Sequence, residues 1–454
     1  MTFESVNPAT DEVIATWSRM SSAEVQERLA AADAAQGKWA ARSIEERAVP
    51  MRRLAGLLEA RTEGLAAQMT DEMGKTIGQS RSEIGKCAWV CRFYADRAAN
   101  LLARRVVEVD EGSAFVTFEP LGVVFAIMPW NFPFWQVLRC AAPTLMAGNG
   151  AVLKHAPNVF GCAAAIEELF REAGFPEGLF QSLRIDHDQA ATVIAHPLVR
   201  AVTLTGSTRA GRAVAALAGG ALKKSVLELG GSDPYIVLED ADLPAAVEAC
   251  TVSRLINSGQ SCIAAKRFVV VESVRAEFEA MLLARWQGIV PGDPRDDPPL
   301  GPLARRDLRD ALHDQVQRSI RTGARCLVGG SVPEGPGAFY PATILGDVRP
   351  GMPAADEELF GPVAAILPVR DEDDAIRTAN ATTFGLGAAV FTRRRDHGER
   401  LAVSAVQAGS CAVNGFVQSD PRLPFGGIRD SGYGRELGLE GIREFVNVKT
   451  VHIR

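Results

Sequence analysis

Residues 121–128, 151–153, 201–205 and 225–229 form short apolar runs, separated by helix-like segments at 160–172 and 208–218. A strand with one wet face alternates polar and apolar side chains, whereas a strand that does not alternate has to be covered on both faces. The four runs therefore predict an open, mainly parallel α/β sheet with helices on either side. A second α/β series follows, with strands at 267–271 and 364–369, helix-like stretches at 274–287 and 303–322, and a Pro/Gly/Asp-rich break at 291–302. At 454 residues the chain is too long for one core, so two or three domains are expected. Ahead of the sheet the first hundred residues read mostly as helix, opened by the capping-box pairs Ser21/Glu24 and Ser43/Glu46.

Composition excludes more than it identifies. A net charge of −6 gives no basic footprint for a nucleic acid. No apolar run approaches the roughly 20 residues of a bilayer span. The start, MTFESVNPATDEV, reads as neither a secretory signal nor a transit peptide. Eight scattered cysteines, with no CxxC pair and no Cys/His cluster at zinc spacing, fit reduced thiols in the cytoplasm.

The segment Asn257-Ser258-Gly259-Gln260-Ser261-Cys262 is a glycine-bearing turn ending at a cysteine. Backbone amides in such a turn supply oxyanion donors and lower a thiol pKa, which is what a nucleophilic cysteine needs. Taken alone, a free cysteine is more often buried filler. Its company changes the reading. Glu228-Leu229-Gly230-Gly231 puts a carboxylate at the end of an apolar strand, where ligands of open α/β sheets bind. A glutamate partly desolvated there has a raised pKa and suits general-base work; a surface glutamate before a turn is the plainer alternative.

These motifs, together with Pro129-Trp130-Asn131-Phe132-Pro133, Glu358-Leu359-Phe360-Gly361-Pro362 and Pro424-Phe425-Gly426-Gly427, resemble those of the aldehyde dehydrogenase superfamily, in the same order and over essentially the whole chain. The resemblance implies an α/β fold with a Rossmann-type cofactor domain (1–103 and 121–229), an α/β catalytic domain (230–424) and small β segments for oligomerisation (104–120 and 436–454). It implies Cys262 as nucleophile, Glu228 as the base that activates water, and Asn131 as oxyanion donor. The implied reaction oxidises an aldehyde to an acid through a thiohemiacetal and a thioester, and needs no metal. Within the oligomerisation segments, 104–120 mixes charge with alternating apolar residues and the tail 444–454 alternates weakly; both read equally well as edge strands pairing within the chain or with another subunit of a homodimer or homotetramer.

Thr205-Gly206-Ser207-Thr208-Arg209-Ala210-Gly211 follows a strand and opens a helix, so Gly206, Ser207 and Gly211 frame a place for a pyrophosphate, or else an ordinary helix start. The resemblance adds Pro129, Trp130, Leu229 and Gly230 as cofactor contacts, Glu358 and Phe360 at the nicotinamide ribose, and Lys154 at the adenosine ribose, where a solvated lysine is the alternative. Relatives that prefer NAD commonly carry a glutamate three residues after that lysine. Pro157 stands there in this chain. With no carboxylate to repel a 2′-phosphate, NADP is expected as cofactor, with NAD also accepted.

Asn131, Trp135 and Arg139 are four apart and share one face if Pro133 begins a helix. Arg139 would then grip the far carboxylate of a short aldehyde acid, unless it pairs with a structural carboxylate instead. The segment 130–139, with its neighbours around 155–158, 228–234 and 264–268, resembles a short-chain branch of succinate-semialdehyde dehydrogenases, which implies Trp135, Arg139 and Ser419 as substrate contacts; Ser419 otherwise reads as a turn residue. Succinate semialdehyde to succinate is thus the expected reaction. A different aldehyde, aromatic or aliphatic, and a non-catalytic protein that keeps the fold are the alternatives.

Overall fold

The computed structural model describes residues 2–454. An N-terminal hairpin, Thr2–Val6 with Val13–Ser18, leads into four helices: α1 (Ser22–Ala40), α2 (Ile44–Ala60), α3 (Thr62–Met73) and α4 (Ile77–Leu101). Both expected capping boxes form, with Ser21 and Ser43 accepting from the Glu24 and Glu46 amides and the two glutamates accepting in return.

The first sheet has six strands in the order Gly432–Tyr433, Lys224–Glu228, Val199–Thr205, Val123–Met128, Gly150–His155 and Phe180–Ser182. All pairs are parallel except the edge strand at 432–433, which returns from the far end of the chain and runs antiparallel to Lys224–Glu228. Helices α5 (Trp135–Met146), α6 (Phe160–Glu172), α7 (His187–Ala195) and α8 (Thr208–Gly220) connect these strands. Along one central strand, Ala126 and Met128 enter a core shared with α2, α4, α5 and α6, while Val123 and Phe125 enter a core with α1, α7 and α8. That two-sided burial is why the strand carries no polar alternation.

The second sheet has seven strands, ordered Arg325–Val328, Thr343–Gly346, Val363–Val369, Ala265–Val271, Asp233–Val237, Gly387–Phe391 and Ser410–Val413. It repeats the logic: Tyr235 and Val237 pack on one side, Ile236 and Leu238 on the other. A third, three-stranded sheet joins Arg105–Val107, Ser113–Pro120 and Val446–Ile453, the last two paired over eight residues. The two weakly alternating segments thus pair with each other inside the chain. Val106, Val107, Val448 and Ile453 remain exposed on this sheet.

The helix expected from Pro133 begins instead at Trp135. The Glu83 carboxylate accepts from the Phe134 and Trp135 amides, each at 2.9 Å, and so defines the helix start. Asn131 therefore lies in the loop before α5 and does not share a helical face with Trp135 and Arg139.

Candidate active site

Glu228 ends one parallel strand, and Asn131 follows another in the loop that separates Met128 from α5. The turn that leads to Cys262 follows the helix Leu243–Leu255. It is backbone-strained: Asn257, Ser258 and Gly259 have φ of 54°, 52° and 74°. Left-handed non-glycine residues cost roughly 1–2 kcal/mol each and persist where their surroundings over-determine them. Here the surroundings do so. The Asn257 amide donates to Gln79 Oε1 at 2.6 Å, and its side chain donates to the Asn131 carbonyl at 2.7 Å. Ser258 Oγ and the Gly301 backbone exchange hydrogen bonds at 3.0 Å, and the Ala304 amide donates to Gln260 Oε1 at 2.8 Å. Buried Arg254 donates to the Gly259 carbonyl. Gly259 has a further reason to be glycine, since a Cβ there would lie 2.3 Å from the Gly361 backbone.

Asn131 Nδ2 donates to the Gln260 carbonyl at 3.1 Å, which ties the amide to the turn two residues before the thiol and leaves its second hydrogen to give. Buried His155 holds the loop from the other side. Its Nε2 lies 2.9 Å from the Pro133 carbonyl and its Nδ1 accepts from the Ala156 amide. Burial holds its pKa down to about 4, so the ring is neutral and the Nε2–H tautomer fits both contacts.

Cys262 is half-buried, but its thiol is not acidified. Burial pushes its pKa up to about 12, outweighing the attraction of Arg139 and Lys266 for the thiolate. The lowered pKa expected from the turn is corrected on this point, because desolvation of the anion is the larger effect. Lys266 is anchored beside it, donating to the Cys262 and Ser261 carbonyls at 2.6 and 3.0 Å and lying 3.3 Å from Glu358.

Glu228 is buried and neither carboxylate oxygen has a hydrogen-bond partner among the described residues. Burial, and then the negative charge of Glu436, raise its pKa well above the ordinary carboxylate range, against the pull of Arg139. The loop from Pro424 closes over it: a Cβ on Gly426 would lie 2.5 Å from Glu228 Oε1. Glu436 in turn forms a buried ion pair with Arg139, whose Nη2 donates to Thr205 Oγ1 at 3.3 Å and whose guanidinium lies 4.7 Å from the Phe425 ring centroid. Arg139 thus has the structural carboxylate partner that was its alternative reading, and it also lines the cavity.

That cavity, about 300 Å³, is bounded by Cys262, Trp135, Arg139, Ser419, Lys86 and Phe132 among others. Lys86 donates to Ser419 Oγ at 2.7 Å. On the opposite side of the catalytic turn, Ser207 caps α8 by accepting from the Ala210 amide, and the Gly206 amide donates to the Glu228 carbonyl at 2.9 Å. Leu229 packs so closely on α8 that a Cβ on Gly211 would lie 2.5 Å from it. Glu358 accepts from the Gly231 amide at 3.0 Å and lies against Gly230, while Phe360 meets the Trp130 ring edge-on at 5.7 Å. Lys154 is a buried cation whose pKa is lowered by desolvation, with Asp186 opposing. Pro157 opens the short turn after its strand. A buried cation without an ion-pair partner among the described residues and a capped helix N-terminus on the same sheet edge fit a phosphorylated dinucleotide.

Several of these residues carried no sequence signal. Glu436, Lys86 and the Lys75–Glu83 pair sit in no motif of the sequence; the Arg139–Glu436 and Lys75–Glu83 ion pairs and the Lys86–Ser419 contact are visible only in three dimensions.

A strained turn leading to a half-buried cysteine, a loop amide bonded to that turn and a buried, unpartnered carboxylate at a strand end are the parts of an aldehyde-oxidising enzyme. The chain belongs to the aldehyde dehydrogenase family, whose model matches residues 1–451. It is 48% identical over its whole length to a Synechocystis sp. protein of the same extent, named a probable succinate-semialdehyde dehydrogenase (NADP+). It is 45% identical over 448 residues to the Escherichia coli succinate semialdehyde dehydrogenase (NAD(P)+), covering 98% of this chain and 97% of that one. Among solved structures, succinic semialdehyde dehydrogenase from Streptococcus pyogenes with NADP+ superposes with a TM-score of 0.97 at 36% identity, over 99% of both chains.

Proposed function

We propose that the protein oxidises succinate semialdehyde to succinate with NADP, and with NAD as a second cofactor. The observation that carries this reading is the orphaned Glu228 carboxylate. A buried carboxylate with no hydrogen bond is costly, at roughly 1–3 kcal/mol or more, and persists where function needs it. A water delivered to a thioester on Cys262 is the partner it lacks.

Cys262 attacks the aldehyde carbon once its proton is taken, and the raised thiol pKa makes that removal a necessary first event. The new oxyanion is held by the free hydrogen of the Asn131 amide and the Cys262 backbone N–H. Glu358, Phe360 and Trp130 would hold the nicotinamide, which would supply the hydride acceptor. Lys154 and the vacant carboxylate position at Pro157 favour a 2′-phosphate on the cofactor, while Gly206, Ser207, Gly211, Leu229, Gly230, Glu358, Pro129 and Trp130 shape its site. Glu228 then takes a proton from the attacking water, and the thioester opens to the acid and a free thiol. Trp135, Arg139 and Ser419 frame the far end of the substrate.

A homodimer or homotetramer in the cytoplasm completes the reading. The exposed valines of the three-stranded sheet support it as the contact, and eight free cysteines suit a reducing compartment. No helix among the described residues is long and apolar enough to cross a membrane.

Steady-state rates with succinate semialdehyde, butanal and benzaldehyde, each with NADP and with NAD, test the proposal. Succinate semialdehyde with NADP is expected to give the highest kcat/KM. A higher value for either uncharged aldehyde would sink the substrate assignment.

A further inference from the structure

The cavity beside Cys262 contains one cation that its own acids do not neutralise. Of the basic side chains that face it, Lys75 is paired with Glu83 and Arg139 with Glu436. Lys86 has no such partner. Its Nζ donates to the neutral Ser419 hydroxyl and lies 4.3 Å from the Trp135 ring centroid, and among the described residues no carboxylate forms an ion pair with it. The two acids nearest in charge are committed elsewhere: Glu83 to Lys75 and the start of α5, Asp420 to Arg422.

An ammonium partly removed from water, held by a hydroxyl and an aromatic face, has given up hydration without gaining a counter-ion. Its environment bears this out. Burial, and then the charge of Arg139, bring the Lys86 pKa down to about 8, with Cys87, Glu83 and Asp420 pulling the other way. A carboxylate entering the cavity restores what burial removed.

We propose that Lys86, beside the already neutralised Arg139, supplies the net positive charge that selects aldehydes bearing a distal carboxylate. Ser419 and Trp135 set its position, the first by accepting its hydrogen bond and the second by lying under the ammonium. The inference rests on the substrate reading given above.

The test compares succinate semialdehyde with butanal, which has the same chain length and no carboxylate, in the full-length enzyme and in Lys86→Met and Lys86→Arg. Loss of a charge-assisted hydrogen bond is expected to raise KM for succinate semialdehyde about 10- to 100-fold in Lys86→Met. KM for butanal changes several-fold less than KM for succinate semialdehyde, and Lys86→Arg recovers most of the loss. If Lys86→Met keeps the wild-type preference for succinate semialdehyde, the assignment of Lys86 is wrong. An equal loss with both aldehydes also overturns it, since that is the signature of a structural lysine. If the wild-type enzyme itself shows no preference for the carboxylated aldehyde, the substrate reading fails and this inference goes with it.

Discussion

Glu228 and Cys262 both hold their protons more tightly than the free side chains do, for the same reason: burial penalises the charged form. In the proposed reaction only the Cys262 thiolate attacks, so kcat/KM is expected to rise with pH from about 6 to 9 rather than peak near neutrality; a flat profile over that range would contradict the burial argument. The stability consequence has a definite sign. The folded state binds the Glu228 proton more tightly than the unfolded chain, so this group favours folding less as pH rises above the unfolded carboxylate value near ~4.3 and through its raised folded value. In thermal melts Glu228→Gln is therefore expected to lose less stability than wild type as pH rises from about 5 upward. In kinetics, the same variant is expected to release one equivalent of reduced cofactor per site and then stall, with steady-state kcat lowered roughly 10²- to 10⁴-fold. Steady turnover at the wild-type rate would remove Glu228 from the hydrolytic step. At this scale the sequence motifs were poor guides to ionisation. A turn rich in amides suggested an acidic thiol, but the amount of protein packed over Cys262 is set by distant segments.

At the scale of elements, apolar continuity was the reliable signal. The runs at 121–128, 201–205 and 225–229 became the strands Val123–Met128, Val199–Thr205 and Lys224–Glu228, because a strand covered on both faces leaves an unambiguous pattern. The start of α5 was misread because the spacing of Asn131, Trp135 and Arg139 is compatible with a helix, whereas the true boundary is set by Glu83, fifty residues away in the chain and buried against Lys75. The catalytic turn shows the same dependence on remote backbone. Replacing Gly259 by alanine places a Cβ against Gly361 and forces a side chain into a left-handed conformation. The variant is expected to lose about 2–4 kcal/mol of stability and nearly all activity. Urea denaturation followed by far-UV circular dichroism checks the first expectation; an unchanged midpoint would mean that the 358–362 segment yields more easily than its packing suggests.

For the whole molecule, the two sheets were legible as two series of strands, but the third was not assignable to one partner, since weak alternation at 104–120 and 444–454 has no information about what lies opposite. The paired register of Ser113–Pro120 with Val446–Ile453 resolves it within the chain and leaves a valine-bearing surface outward. Val448→Asp is expected to shift the protein toward smaller species in light scattering coupled to gel filtration, with the monomer's secondary structure retained. An unaltered mass would relocate the subunit contact.

The strand at 432–433 closes the first sheet from the opposite end of the chain, and Glu436, just beyond it, reaches back to Arg139. Segments roughly two hundred residues apart in the chain thus share one sheet edge, with the Gly426 loop packed against the Glu228 carboxylate. A contact of that sequence separation is costly in loop-closure entropy, and the two-residue strand alone returns little for it. Unpairing this short strand would open the Lys224–Glu228 edge and rehydrate the Glu228 carboxylate, loosening its hold on its proton.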